Sequence, residues 1–82
     1  MNQSLNVLLF GITRDIAGKS VVPCALSGNA TVSDLLDYLK QEYPPMAGIS
    51  SLLVAVNGEY AEPATRLAAN DEIAIIPPVS GG

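Results

Sequence analysis

The sequence predicts an α+β domain, in which a mixed β-sheet of about five strands packs one face against one main helix. Short apolar runs bounded by Gly, Pro or Asn recur along the chain and are typical of strands. Residues 31–43 instead carry apolar side chains at helical spacing. The 82 residues are enough for one such domain, which would bury roughly 60% of the surface of its unfolded chain.

Composition narrows the classes of protein that the chain can represent. Hydrophobic residues make up 49% of the sequence and charged residues 15%, which argues against disorder and gives more apolar surface than a small core absorbs. The net charge is −4 and the four cations are scattered along the sequence, so we expect no nucleic acid partner. The sequence contains neither a signal peptide nor an apolar run long enough to cross a bilayer. We therefore expect a soluble, cytoplasmic protein with a protein partner and no membrane contact.

The chain has one cysteine, Cys24, and no histidine. Cys24 has no second cysteine to pair with and no imidazole to act as its base, so a buried structural thiol is predicted. Histidine, the commonest metal ligand and proton shuttle in proteins, is therefore also absent from the chemistry available to this chain. We expect no metal site and no catalysis by this chain alone.

The first two strands are predicted at residues 5–12 and 20–26, with a turn or a single helical turn at residues 13–18 between them. The first run is almost continuously apolar, which predicts a central strand buried on both faces. The second should return as a hairpin partner. Pro23 cannot donate a hydrogen bond to a ladder, so the second strand should lie at an edge of the sheet.

The helix should begin at Thr31, with Asp34 three residues later in a capping-box relation. Apolar residues recur on one side of this helix, namely Val32, Leu35, Leu36, Leu39 and Tyr43. Pro44 and Pro45 should end it. We interpret the stripe as a core face packed on the sheet rather than as a groove-binding face.

Three more strands are predicted, at residues 52–56, 59–61 and 72–76. Asn57-Gly58 predicts a type I′ hairpin, and Asn70 could take a left-handed conformation in the turn before the last strand. The last strand is apolar on both sides. Because one helix covers one face, the opposite face should be an exposed apolar patch that binds a protein.

The chain ends in Pro77-Pro78-Val79-Ser80-Gly81-Gly82. The prolines should force the chain out of the sheet, so residues 1–76 should form the domain and residues 77–82 a flexible tail. The last two residues have no Cβ, which would let the C-terminal carboxylate of Gly82 approach an enzyme closely. Residues 79–82 would reach roughly 13 to 14 Å when extended. On composition alone, a frayed terminus of small residues is the alternative.

The sequence resembles the small, sulfur-carrier subunit of molybdopterin synthase, in the family of ubiquitin-like β-grasp sulfur carriers. The similarity covers four segments. Residues 7–18 resemble an opening strand with its arginine-acidic turn, and residues 31–36 resemble a helix start. Residues 54–58 resemble an Ala-Val-Asn segment, and residues 67–82 resemble an acidic turn, an apolar strand and the Pro-Pro-Val-Ser-Gly-Gly end. The departures are Asn70, where relatives usually carry glycine, and Ile75 and Ile76, where relatives often carry aromatic residues.

This resemblance implies a mechanism in which Gly82 is the reactive residue. An ATP-dependent, E1-like enzyme would adenylate its carboxylate, which then becomes a thiocarboxylate. Residues Pro77, Pro78, Val79, Ser80 and Gly81 would insert into the large synthase subunit, where the sulfur passes to a pyranopterin precursor of the molybdenum cofactor. The resemblance further implies a heterotetramer of two small and two large subunits. It implies no tightly bound cofactor, since ATP is used by the activating enzyme.

Three other interpretations stay open. The chain could be the sulfur carrier for thiazole formation in thiamin synthesis, although Pro77-Pro78 resembles the molybdopterin branch more closely. It could be a protein modifier joined to target lysines through Gly82. It could also be a noncovalent ubiquitin-like module in which the tail has no chemical role.

Overall fold

The computed structural model describes residues 2–49 and 51–78. Five strands, two α-helices and one 3₁₀ helix follow one another in the order β1 (Asn2–Leu9), α1 (Ile12–Ala17), β2 (Val21–Ser27), α2 (Val32–Glu42), the 3₁₀ helix (Pro44–Gly48), β3 (Leu53–Val56), β4 (Glu59–Tyr60) and β5 (Ile73–Ile76). This order of elements confirms the predicted α+β architecture.

The five strands form one mixed sheet in the order β2-β1-β5-β3-β4. β1 pairs with β2 antiparallel and with β5 parallel, while β3 pairs antiparallel with both β5 and β4. β5 therefore lies in the middle of the sheet, although it is the last strand in the chain. β2 lies at an edge, as Pro23 predicts.

The predicted capping box starts α2. The Asp34 amide donates to Thr31 Oγ1 at 3.3 Å, and the Thr31 amide donates to Asp34 Oδ2 at 3.0 Å. α2 lies on one face of the sheet, and residues Val32, Leu35 and Leu39 of the predicted stripe are buried in the core that the helix and the strands share. The 3₁₀ helix that follows α2 adds Met46, which is fully buried. Local capping and helical periodicity thus place the core on one side of the sheet.

The prediction that β1 is buried on both faces is wrong. Leu5, Val7 and Leu9 are buried in the core, whereas Asn6 is exposed and Leu8 half-buried. Successive side chains of a strand point to opposite faces, and α2 covers only one of them. The second face of β1 is therefore open.

The prediction of a left-handed Asn70 is also wrong. Among the described residues other than glycine, Asn57 alone has a positive φ, at 54°. The turn at residues 68–71 is closed instead by Asp71, whose Oδ2 accepts from the Ala68 amide at 2.8 Å and whose amide donates to the Ala68 carbonyl at 3.0 Å. This side-chain cap removes the need for a left-handed residue. Gly58 has a φ of 84° beside Asn57, as the predicted type I′ turn requires.

Within the described part of the chain, no helix has the length and apolarity needed to cross a membrane.

Candidate functional site

The C-terminal tail leaves the sheet from its middle strand. β5 pairs with β1 through Ile75 and with β3 through Ile76, its last residue. β5 ends at Ile76, directly before the two prolines, of which Pro77 is half-buried and Pro78 exposed. The other predicted site residues, Val79, Ser80, Gly81 and Gly82, lie outside the described residues. The base of the tail is thus held by neighbours on both sides.

Gly11 packs directly against this base. Its φ of 58° and ψ of −134° belong to a region that is costly for residues with a Cβ. A Cβ built on Gly11 would lie 3.0 Å from Cγ of Pro77. The Phe10 amide donates to Thr13 Oγ1 at 3.2 Å, and the Thr13 hydroxyl donates to the Phe10 carbonyl at 2.6 Å. The proximity of Gly11 and Pro77 was not predicted from the sequence, because only the parallel pairing of β1 with β5 brings these two residues together.

Substituting alanine at three glycines separates backbone strain from crowding. Gly11→Ala is expected to destabilise the fold by about 2 to 3 kcal/mol, because the added Cβ combines a costly φ with crowding against Pro77. Gly18→Ala should cost about 1 kcal/mol, since its φ of 75° is also left-handed but its surroundings are empty. Gly48→Ala meets nothing within 4 Å and should be nearly neutral. Urea unfolding measures the three values, and an equal loss for Gly11→Ala and Gly18→Ala would contradict the Pro77 contact.

The sheet face opposite α2 carries an apolar row that crosses all five strands. Residues that pair directly share a face, and the register places Leu8 opposite both Val21 and Ala74, Ala74 opposite Ala55, and Ala55 opposite Tyr60. Val21 is 41% exposed and Tyr60 71%. These five residues form one side of what we call the open face.

Next to the tail the open face continues with Leu53 and Ile76, and Phe10 is a further exposed apolar residue directly after β1. Leu53 pairs with Ile76. Leu53 and Phe10 are each 47% exposed. The predicted apolar patch is therefore present, and it extends to the residue that precedes Pro77.

A hydrogen-bond network around Asn57 fixes the two residues that precede β5. The Asn57 amide donates to the Glu72 carbonyl at 2.8 Å, and the Glu72 amide donates to Asn57 Oδ1 at 2.9 Å. Asn57 Nδ2 also donates to Asp71 Oδ1 at 3.0 Å. The Asn-Gly motif predicted the turn, but not that the Asn57 side chain would accept a hydrogen bond from Glu72, fifteen residues later and directly before β5.

Cys24 is fully buried in the core, which confirms the prediction of a structural thiol. Burial raises the pKa of the Cys24 thiol from 9.0 to about 11, and the negative charge of Glu42 adds to the effect. The thiol is therefore protonated at neutral pH and unreactive as a nucleophile. Among the described residues, no three His, Cys, Asp or Glu side chains are grouped so that they could hold a metal ion.

The raised pKa predicts a loss of stability at alkaline pH. The folded state favours the neutral thiol of Cys24. The contribution of this thiol to the free energy of unfolding is therefore complete below about pH 9 and is lost as the pH rises toward 11. The loss should reach about 2 kcal/mol. Cys24→Val should remove that part of the pH dependence, and the difference between the two proteins in urea unfolding at pH 7 to 10.5 measures it. Parallel stability curves for both proteins would contradict the prediction.

Comparison with known proteins agrees with this arrangement. The ThiS family profile matches residues 7–82. The molybdopterin synthase sulfur carrier subunit of Dictyostelium discoideum is 37% identical over 86 residues, covering 100% of both chains. Small archaeal modifier protein 1 of Haloferax volcanii is 36% identical over 83 residues, covering 90% of this chain and 95% of that protein.

The crystal structure of SAMP1 from Haloferax volcanii superposes with a TM-score of 0.83 at 35% identity, covering 96% of this chain and 99% of that one. The predicted β-grasp architecture is thus confirmed by both its topology and its structural neighbours. The chain belongs to the ThiS family, has a ubiquitin-like β-grasp fold, and counts molybdopterin synthase sulfur carrier subunits among its homologues.

Proposed function

We propose that the protein is the sulfur-carrier subunit of molybdopterin synthase and that it carries sulfur on the carboxylate of Gly82. The observation that carries this proposal is the origin of the tail. Residues 77–82 follow β5, which pairs on both sides in the middle of the sheet, and the family match extends to residue 82. We accordingly divide the chain into a domain at residues 1–76 and a tail at residues 77–82.

The chemistry takes place on the C-terminus and needs no catalytic side chain from this chain. A carboxylate oxygen of Gly82 attacks the α-phosphate of ATP on an activating enzyme, and pyrophosphate leaves. Sulfide-level sulfur from a donor then attacks the carbonyl carbon of Gly82, AMP leaves, and a thiocarboxylate remains. Gly81 and Gly82 suit both steps, since neither carries a Cβ that would obstruct the reacting carbonyl. ATP is a substrate of the activating enzyme, and no cofactor is held by the carrier.

The thiocarboxylate donates its sulfur inside the large synthase subunit. Pro77, Pro78, Val79, Ser80 and Gly81 insert there and bring the sulfur to the pyranopterin precursor, so that the carrier acts as a tethered cosubstrate. The open face supports a docking role, because its apolar side chains border the tail exit. The functional assembly is a cytoplasmic heterotetramer of two small and two large subunits.

Intact mass spectrometry tests the proposal. The protein is incubated with its E1-like activating enzyme, ATP and a sulfur donor, and its mass should rise by the difference between one sulfur and one oxygen atom. Omitting ATP is the control and should leave the mass unchanged. An unchanged mass in the complete reaction would refute the carrier function.

A second candidate is a protein modifier, favoured by the similarity to small archaeal modifier protein 1. In that case Gly82 forms an isopeptide bond to target lysines after the same activation. Cell extracts separate the two, since a modifier gives lysine-linked conjugates that persist after denaturation. The thiazole-forming carrier of thiamin synthesis remains distinguishable by its partner, because that carrier would copurify with a different sulfur-accepting subunit.

A further inference from the structure

The segment between β1 and α1 lies beside the base of the tail. Leu9 and Ile75 are the last pair that joins the parallel strands β1 and β5. Gly11 and Pro77 each follow that pair by two residues, so the two segments leave the sheet side by side. A Cβ built on Gly11 would lie 3.0 Å from Cγ and 3.8 Å from Cδ of Pro77. The proline ring therefore lies against the surface that the missing side chain of Gly11 leaves open.

Gly11 differs in this respect from the other described glycines that have a positive φ. Gly18 and Gly58 have φ values of 75° and 84°, and a Cβ on either would meet nothing within 4 Å. Their backbone angles are enough to explain why glycine stands there. At Gly11 a φ of 58° is combined with a neighbour in the space that a side chain would take. The missing side chain of Gly11 thus has a second consequence, which concerns the position of Pro77.

The turn that contains Gly11 is held in place by hydrogen bonds. Thr13 is fully buried, and its hydroxyl accepts from the Phe10 amide at 3.2 Å and donates to the Phe10 carbonyl at 2.6 Å. The amides of Arg14 and Asp15 donate to the Gly11 carbonyl at 3.1 and 3.3 Å. Buried polar groups whose hydrogen bonds are all made rigidify the structure around them. The turn is therefore a fixed support for the proline ring.

The proline ring passes this constraint on to the next residue. The ring fixes φ of Pro77 at about −65°, and ψ of Pro77 is restricted to extended values because Pro78 follows it. The φ of Pro78 is fixed in the same way. With the ring held beside Gly11, few other backbone paths remain from Ile76 to Pro78. The position of the ring therefore sets the direction in which the chain leaves the sheet.

We propose that Gly11 is a positioning residue for the tail, because its missing side chain lets the Pro77 ring lie against the turn and so fixes the direction of the exit. The importance of that direction for sulfur transfer rests on the proposed function, whereas the placement of the ring does not. A Cβ on Gly11 would displace the ring by about half an ångström, to an ordinary carbon–carbon distance of about 3.5 Å. Misplacing a reacting group by about 1 Å costs on the order of 100-fold in rate. A loss of roughly tenfold is therefore expected for Gly11→Ala.

Nuclear magnetic resonance of the whole isotope-labelled protein tests the placement of the ring without any partner. The wild-type protein should show a nuclear Overhauser effect between the Hα protons of Gly11 and the ring protons of Pro77. Residual dipolar couplings of the Cα–Hα bonds of Pro77 and Pro78 should fit the same alignment as the sheet. The Pro78 coupling should depart from that alignment in Gly11→Ala but not in Gly18→Ala. The inference is overturned if the wild type lacks the Overhauser effect, or if Gly11→Ala leaves the Pro78 coupling unchanged.

A double-mutant cycle tests whether Gly11 affects the reaction through the ring. Gly11→Ala, Pro77→Ala and the double variant are compared in thiocarboxylate formation, at a temperature at which circular dichroism shows every variant folded. Gly11→Ala should lower kcat about tenfold and leave KM near the wild-type value, since only the direction of the tail changes. In the Pro77→Ala background the same substitution should lower kcat much less, because no ring remains for the Cβ to displace. Gly18→Ala should keep the wild-type kcat and KM.

The outcomes distinguish this inference from the proposed function. Equal losses from Gly11→Ala in both backgrounds mean that Gly11 acts by another route, and they overturn the inference. A rise in KM alone makes Gly11 a docking contact and overturns it as well. If the wild-type protein never acquires sulfur, the proposed function is refuted, while the Overhauser effect and the dipolar couplings still decide whether Gly11 directs the tail.

Discussion

Adding one alanine after Gly82 is expected to abolish sulfur transfer without changing the stability of the domain. The added residue removes the carboxylate from Gly82 and places a Cβ at the reacting end. Gly81→Val should act in the same direction, because its side chain widens the tail where a narrow channel must admit it. Misplacing a reacting group by about 1 Å costs on the order of 100-fold in rate, so at least that loss is expected in thiocarboxylate formation measured by mass spectrometry.

The matched control is Gly48→Val, which adds the same side chain where a new Cβ meets nothing within 4 Å. It should be activated at the wild-type rate. The two tail variants should unfold at the wild-type urea concentration, since the altered residues follow the last strand. Gly48→Val should unfold close to it, because its added Cβ meets nothing within 4 Å. If the chain extended by alanine still supports cofactor formation, the carboxylate of Gly82 is not the required sulfur carrier.

Leu53→Glu is expected to release the large subunit while leaving the domain folded. Leu53 pairs with Ile76 next to the tail exit and is 47% exposed in the free chain, so a charge there costs the monomer little. In the complex the carboxylate would be buried without a partner. Interface residues of this kind cost about 2 kcal/mol or more when altered, which corresponds to a loss of roughly thirtyfold in affinity measured by calorimetry.

Two controls define this result. Leu53→Ala removes apolar contact without adding a charge, so its loss should be smaller than that of Leu53→Glu. Ala47→Glu adds the same charge at an exposed position of the 3₁₀ helix that follows α2. This variant should bind the large subunit with wild-type affinity. Equal affinity of Leu53→Glu and wild type would exclude the open face from the complex.

Much of the fold could be predicted because the responsible interactions are local. The capping box joins Thr31 to a residue three positions later, and the Asn57-Gly58 turn is specified by backbone angles that few other residues adopt. Pro23 excludes β2 from the interior of the sheet through its missing amide hydrogen. Each of these signals acts within a few residues, so it is readable without the tertiary structure.

The wrong predictions concern places where another part of the chain decides the outcome. β1 is apolar enough to be buried on both faces, yet α2 covers only one face, so Leu8 is half-buried rather than enclosed. Asn70 suits a left-handed turn, but the carboxylate of Asp71 closes that turn by another route. Neither local pattern reveals the competing interaction.

The sequence by itself determined the C-terminal Gly-Gly motif, the prolines that end β5 and the order of the secondary structure elements. Only the tertiary structure decided that β5 lies between β1 and β3 and that Gly11 lies beside Pro77. The physical reason is that strand pairing joins residues far apart in the chain, here across more than sixty positions from Gly11 to Pro77. The motif identifies a tail, while the sheet fixes where that tail begins and which surfaces lie beside it.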